Sequence, residues 1–263
     1  MQLNNKQSNT EQLNLNSRIT LNNGYSMPLF GLGTWHTSST KPIQKAAEFG
    51  YQLFDTSKNY HNEMIVGEAL RNSEVKRENL FVTTKLEAAD FKNVQKAFDE
   101  SNKKLGLGYI DLYLIHWPER DWISAWNQME KLPKEKCGSI GVSNFTERDL
   151  VELLRHSNTV PAVNQIKFSP FEWDQNLLDY CEEREIAVEG YSPLSEIEEP
   201  IIKEIAEKYG KSPAQLIIRW VLQHNVIAIP KTSSEERIIE NANVFDFEIK
   251  EEDMETIDGM KRE

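Results

Sequence analysis

The feature that most constrains this chain is an unbroken alternation. Eight apolar runs of strand length are each followed by a segment of helical spacing. The runs are Leu29–Gly31, Gln52–Phe54, Leu80–Thr84, Ile110–Ile115, Ser139–Val142, Ala162–Asn164, Ala187–Gly190 and Val226–Ile229. The helices that follow them begin near Lys41, Glu63, Phe91, Ile123, Glu147, Asp174, Pro200 and Glu235. A further piece, Pro213–Gln223, makes the seventh crossover double. Strands separated by helices pair in parallel, and eight such units in 263 residues close into a (β/α)8 TIM barrel. A doubly wound sheet is the competing architecture. It needs a G-x-G-x-x-G turn after a strand, which the chain lacks; Gly31-Leu32-Gly33 has no third glycine and opens no immediate helix.

Residues 18–263 form this single domain, and its first part, Arg18–Phe30, reads as a short N-terminal β-hairpin capping the bottom of the barrel. Its Asn22-Asn23-Gly24-Tyr25 turn supplies the positive φ that a tight reversal needs. The first seventeen residues hold eight Asn or Gln, so they are expected to be a disordered leader or a loosely docked tail, not a signal or transit peptide. Leu105-Gly106-Leu107-Gly108 is a helix stop, and Thr146 is an N-cap for the helix at Glu147.

A net charge of −12 argues against nucleic acid and anionic membranes as partners, because both require clustered Lys and Arg. No apolar run is long enough to span a bilayer. Two cysteines, Cys137 and Cys181, are too few for a disulfide framework and have no metal-ligand spacing, which reads as reduced thiols in a cytoplasmic protein without a metal site. With no obvious exposed apolar stripe, a monomer is expected.

In a barrel of this type the active site lies at the carboxyl ends of the strands. Those ends carry Gly33-Thr34-Trp35, Asp55 with Tyr60, Lys85, His116-Trp117, Ser143-Asn144, Gln165, Tyr191-Ser192 and Lys231-Thr232. Taken singly, each has an ordinary structural reading. Lys85 can be a strand-end lysine, His116 a core histidine bonded to backbone, Trp35 rim packing, and Ser143-Asn144 a helix cap. Together they make a differentiated set. A phenol donates a proton poorly at neutral pH unless a cation stabilises the phenolate, and Lys85 supplies one, oriented by Asp55. Tyr60 is then the general acid toward a carbonyl oxygen, with His116 donating a second hydrogen bond. This group supplies a proton but no electrons, so a reduction needs a hydride carrier. Tyr191 offers a face for a nicotinamide ring, and Ser143, Asn144 and Gln165 offer hydrogen bonds to its carboxamide.

The ordered segments GLGTW (31–35), GYQLFDTSKNYHNEMIVG (50–67), TTK (83–85), DLYLIHWP (111–118), IGVSNF (140–145), NQ (164–165), GYSPL (190–194) and IPKTSSEERIIEN (229–241) resemble the aldo-keto reductase family. The resemblance runs from about Ile19 to Asp258. It implies a catalytic tetrad of Tyr60, Lys85, Asp55 and His116. It also implies a cofactor seat in which Ser143, Asn144 and Gln165 hold the carboxamide and Tyr191 stacks on the nicotinamide. Ser192 and Leu194 then line the pyrophosphate path, Gly33, Thr34 and Asp55 lie beside the cofactor, and Lys231, Thr232, Arg237, Glu240 and Asn241 meet the adenosine end. Lys231, Thr232 and Arg237 facing a 2′-phosphate favour NADPH over NADH. The plain alternative for Arg237 and Glu240 is an i,i+3 surface pair. Trp35, Tyr60, His116 and Trp117 are the expected substrate contacts.

The chain also departs from the family. Glu87 stands where an aromatic usually walls the substrate site; an acid there would repel acidic substrates or point to solvent. The loop after Lys85 is short, and the segment from Leu194 to Pro200 is reduced to a strap. The chain stops at Glu263, where many relatives begin a tail over the pocket. These features predict an open pocket carrying Trp35, Trp117 and Trp122, and weak selectivity. The expected function is NAD(P)H-dependent reduction of aldehydes and ketones to alcohols, with hydride from the nicotinamide and the proton from Tyr60. The competing function is a cofactor-binding regulatory protein on the same fold with little turnover.

Overall fold

The computed structural model describes residues 13–262. Of the expected leader, residues 1–12 lie outside the described residues. Residues 13–17 form a turn against the barrel: the Ser17 backbone N–H donates to the Asn14 carbonyl at 2.9 Å, the Gln52 amide donates to Asn16 at 3.1 Å, and Leu15 packs against the core.

Strands β1 (Arg18–Thr20) and β2 (Ser26–Pro28) pair as the antiparallel hairpin, with Gly24 at φ +85° in its turn. The barrel strands are β3 (Gly31–Gly33), β4 (Leu53–Asp55), β5 (Phe81–Leu86), β6 (Ile110–Ile115), β7 (Cys137–Ser143), β8 (Val163–Lys167), β9 (Ala187–Tyr191) and β10 (Ile227–Ile229). They pair in parallel and in chain order, and bridges from Phe30 to Ala228 and from Gly33 to Lys231 join the first strand to the last. The helices are α1 (Lys41–Phe49), α2 (Glu63–Asn72), α3 (Val94–Leu105), α4 (Trp122–Met129), α5 (Glu147–His156), α6 (Gln175–Glu182), α7 (Pro200–Lys208), α8 (Pro213–Gln223), α9 (Glu235–Ala242) and α10 (Glu251–Asp258). Thr146 closes a capping box with Asp149, and Gly106 ends α3 in the left-handed region at φ +62°. Among the described residues no helix is long and apolar enough to cross a membrane.

Two expectations shift, and one helix was not expected. The first barrel strand is Gly31–Gly33, not Leu29–Gly31, because two glycines carry little strand signal yet permit close approach: a Cβ on Gly31 would sit 2.5 Å from Leu53 Cγ. Helix α3 starts at Val94, since Ala88–Asp90 forms a separate 3-10 turn. Helix α10, mostly charged, gave no periodic signal; it is held by Ile257, which is buried, and by Asp253, which accepts from Lys208 and Tyr209.

The strands are buried on both faces, as parallel strands under helices must be. Alternation puts one set of side chains, including Phe54, Val82, Tyr113, Ile115, Val142, Val188 and Ala228, into the core shared with the helices. The other set fills the barrel: Leu53, Phe81, Leu112, Leu114, Val163, Ala187, Ile227 and Ile229 pack with Leu21 and Met27 of the hairpin, which plugs the bottom. Two residues further along each strand, the same inward row reaches the upper rim, and there it turns polar.

Candidate active site

Continuing the inward rows by the strand period gives Asp55 after Leu53, Lys85 after Thr83, His116 after Leu114, Gln165 after Val163, Tyr191 after Glu189 and Lys231 after Ile229. All of these but Lys85 line one cavity of ≈310 Å³, together with Gly33, Trp35, Asn59, Tyr60, Trp117, Ser143, Asn144 and Ser192. A larger hollow of ≈820 Å³ lies at the opposite end, between the hairpin and α6, and contains none of this set. The rim is therefore the place where the chemistry collects.

Lys85 lies directly below the cavity and is fully buried. Its Nζ donates to Asp55 Oδ2 at 2.6 Å and to the Thr56 carbonyl at 2.9 Å, and lies 3.4 Å from the Tyr60 hydroxyl. Burial works against the charge on Lys85, but Asp55, Tyr60 and Glu189 outweigh it and hold the ammonium above its ordinary value. Tyr60 enters from the 3-10 turn Lys58–Tyr60, which Ser57 caps by accepting from the Asn59 N–H at 3.1 Å. Its hydroxyl is raised, not lowered: burial is the larger effect, and Lys85 only moderates it. The Tyr60 hydroxyl and the Lys85 ammonium come together as expected, but burial holds the phenol's proton more tightly than in water.

The imidazole of His116 lies 6.0 Å, ring to ring, from Tyr60 and nearly perpendicular to it. Its Nδ1 meets Glu87 Oε1 at 2.7 Å, and the Ser57 hydroxyl donates to the same oxygen at 2.7 Å. Glu87 thus neither repels substrate from the cavity wall nor points to solvent. It follows Lys85 by two residues, so the end of β5 carries both on one face, and it stands behind His116.

The second half of the rim fits a nicotinamide. Tyr191 lines the cavity and its hydroxyl donates to Asn144 Oδ1 at 2.8 Å. Asn144 is held in the left-handed region, φ +63°, and its Nδ2 donates to the His116 carbonyl at 3.0 Å and to Ser143 Oγ at 3.1 Å. Gln165 uses its amide nitrogen within the barrel, toward Asp55 Oδ2 at 2.8 Å and Glu189 Oε2 at 2.6 Å, which leaves its oxygen as the acceptor for a ligand amide. Burial, reinforced by Asp55, pushes the Glu189 carboxyl above the ordinary carboxylate range.

Further out, Lys231 is exposed, with Nζ on the Ser233 hydroxyl at 3.0 Å; Thr232 and Asn241 are buried. Arg237 is exposed, and among the described residues it forms no ion pair, so the alternative i,i+3 pair with Glu240 is absent. Thr34 is fully buried and spends its hydroxyl on the Asp55 carbonyl at 2.8 Å, bracing the end of β4. Leu194 is partly buried against the core. Trp35 and Trp117 are 56% and 47% exposed and flank the cavity, whereas Trp122 does not reach it: its ring packs edge-on against Phe145 at 4.9 Å. The strap is tied down at Glu196, which pairs with Arg262.

Ser57, Asn59 and Glu189 carry no expectation from the sequence, and Glu87 is expected to face substrate or solvent but stands on His116 and Ser57 instead. Glu189 is accessible from the strand period, two residues from Tyr191. Ser57 and Asn59 sit in an irregular turn where no periodicity applies. Both cysteines are buried, and burial pushes their thiols up to about 12 for Cys137 and about 11 for Cys181, which keeps them unreactive. Among the described residues no group of three or more His, Cys, Asp or Glu could hold a metal.

The aldo/keto reductase family model matches residues 30–196 and 198–262. The chain is 42% identical over 260 residues to a glyoxal reductase of Bacillus subtilis (strain 168), covering 95% of this chain and 94% of that one. It is 41% identical over 248 residues to a methylglyoxal reductase of Escherichia coli (strain K12), covering 90% of each. Among solved structures, an aldo-keto reductase of Bombyx mori in complex with NADP superposes with a TM-score of 0.88 at 33% identity, over 93% of this chain and 92% of that one. A family match across the whole barrel, on a rim that unites a buried lysine–carboxylate pair with a tyrosine, a histidine and an amide-lined seat, shows that the chain belongs to the aldo/keto reductase family.

Proposed function

We propose that this enzyme reduces small aldehydes, with short α-dicarbonyl compounds as the substrate class, using NADPH, and that Tyr60 is the proton donor. The observation that carries the reading is the Tyr60 hydroxyl 3.4 Å from the Lys85 ammonium, itself 2.6 Å from Asp55, in the cavity that His116 shares. When bound, the reduced nicotinamide supplies the hydride. Tyr60 gives its proton to the carbonyl oxygen, and the resulting phenolate lies beside Lys85. Asp55 keeps Lys85 charged and aimed. His116 fixes the approach of the carbonyl, and Trp35 and Trp117 supply apolar walls.

The substrate class is supported by the small volume of the cavity and by the names of the relatives, glyoxal and methylglyoxal reductases. NADPH is favoured by Lys231 and Arg237, two exposed cations with no carboxylate partner among the described residues, at the adenosine end of the seat. Ser143, Asn144, Gln165 and Tyr191 hold the nicotinamide, with Gly33 and Ser192 beside them; Thr232, Glu240 and Asn241 complete the adenosine site. Free buried cysteines and only scattered exposed apolar residues support a cytoplasmic monomer.

The test follows loss of reduced-nicotinamide absorbance with methylglyoxal. Tyr60→Phe is expected to abolish turnover while NADPH binding, read by fluorescence, persists. An unchanged rate would remove Tyr60 from the mechanism. The regulatory alternative gains support only if NADPH binds tightly and no aldehyde in a broad panel is turned over.

A further inference from the structure

Glu87 has no part in the chemistry assigned above, yet it is the group that grips His116. Its Oε1 lies 2.7 Å from Nδ1 of the ring and accepts from the buried Ser57 hydroxyl at the same distance. Burial alone would raise this carboxyl, but the bonds from His116 and Ser57 outweigh it and hold it below the ordinary carboxylate range. An ionised carboxylate only accepts, so Nδ1 must carry a hydrogen. A neutral ring with its hydrogen on Nδ1 turns a bare lone pair outward at Nε2. Facing a carbonyl oxygen, that ring repels where a donor is required. Only the doubly protonated ring donates to Glu87 and to substrate at once.

We propose that Glu87 is a positioning residue acting through His116: it fixes the Nδ1 hydrogen and supplies the countercharge for an imidazolium whose Nε2–H meets the substrate carbonyl beside Tyr60. This rests on the reductase reading above. In the reduction, the C–H bond forms with hydride from the reduced nicotinamide and the O–H bond forms with the Tyr60 proton. His116 keeps both of its hydrogens. The other titratable groups facing the ring are Tyr60 and, behind it, Lys85 with Asp55; from β7, Asn144 bonds only the His116 backbone carbonyl. Glu87 is therefore the one carboxylate in direct contact with the ring among the described residues.

The full-length enzyme with NADPH and methylglyoxal tests the proposal through Glu87→Gln. Glutamine keeps an oxygen for the Nδ1 hydrogen and removes only the countercharge. Without the countercharge the ring gives up its second proton more readily than in the wild type, so kcat/KM is expected to fall about tenfold on the alkaline side of the profile and to recover toward wild type as the pH is lowered. NADPH affinity is unchanged. Ring 15N shifts of His116 in the wild type report hydrogens on both nitrogens at neutral pH, and loss of the Nε2 hydrogen in Glu87→Gln. That readout does not depend on turnover, and the wild-type measurement stands even if the variant folds poorly. A Glu87→Gln profile parallel to wild type across pH, or a wild-type ring with a bare Nδ1, overturns the proposal. Tyr60→Phe separates the two levels. If it is inactive while Glu87→Gln runs parallel to wild type, Glu87 alone is excluded; if it is fully active, the reading of the site itself fails.

Discussion

The Lys85–Asp55 pair makes a quantitative prediction about stability as well as activity. The two side chains are 0% and 4% exposed and lie 2.6 Å apart. At an effective dielectric of about 20 their attraction is about 6 kcal/mol, but each ion gave up several kcal/mol of hydration on burial, so the intact pair adds little to folding. Breaking it is different. Lys85→Met strands Asp55 without its countercharge, and Asp55→Asn strands Lys85; each is expected to cost about 3–5 kcal/mol. Lys85→Met also leaves the Thr56 carbonyl without the bond it receives at 2.9 Å, worth about 1 kcal/mol more. The double variant removes both charges and keeps both shapes, so it should lie within about 2 kcal/mol of wild type. Urea unfolding of the four proteins at neutral pH, without cofactor, gives the coupling energy, expected to exceed about 3 kcal/mol. Aldehyde reduction stays lost in the double variant, by about a hundredfold or more, because Tyr60 has no cation beside it. A double variant destabilised by the sum of the single losses would refute the reasoning, since the charges would then not be compensating one another.

Two further outcomes follow from other parts of the molecule. A Cβ on Gly67 in α2 would lie 1.8 Å from the Leu105 carbonyl oxygen at the end of α3, so Gly67→Ala must push two helices apart. The overlap outweighs the roughly 1 kcal/mol that alanine gains in a helix, and the net loss should be about 2 kcal/mol, lowering Tm by about 5 °C; a higher Tm would show that the helices yield freely. Lys231→Met should weaken NADPH by about tenfold or more and leave NADH nearly unchanged in fluorescence titrations; equal losses would mean that Lys231 does not meet the 2′-phosphate.

Much of the molecule was legible in the residues. The eightfold alternation specifies parallel pairing in chain order, and Asn-Asn-Gly at 22–24 and Thr146 before Glu147 mark a turn and a cap through local geometry alone. The errors fall where a local signal is weak and partners are distant. β3 is two glycines and a leucine, and its position is set by the ladder to β4. β5 extends to Leu86 because Leu86 pairs with Ile115 of β6. Trp122, expected in the open pocket, instead packs on Phe145 from the start of α4, a contact between residues 23 apart that no local pattern encodes.

The sequence by itself determined the barrel, its polar upper rim and the kinds of group placed there, because strand and helix periods are properties of neighbouring residues. Only the tertiary structure decided which groups touch. Asp55 meets Lys85 thirty residues on and Gln165 one hundred and ten residues on, across a barrel whose curvature no local pattern encodes. The same closure raised the Tyr60 hydroxyl by burial where pairwise reasoning expected Lys85 to dominate, and it turned Glu87 away from substrate and onto His116. Which residues occupy the rim is written in one dimension; how strongly each holds its proton depends on the water excluded when the strands close.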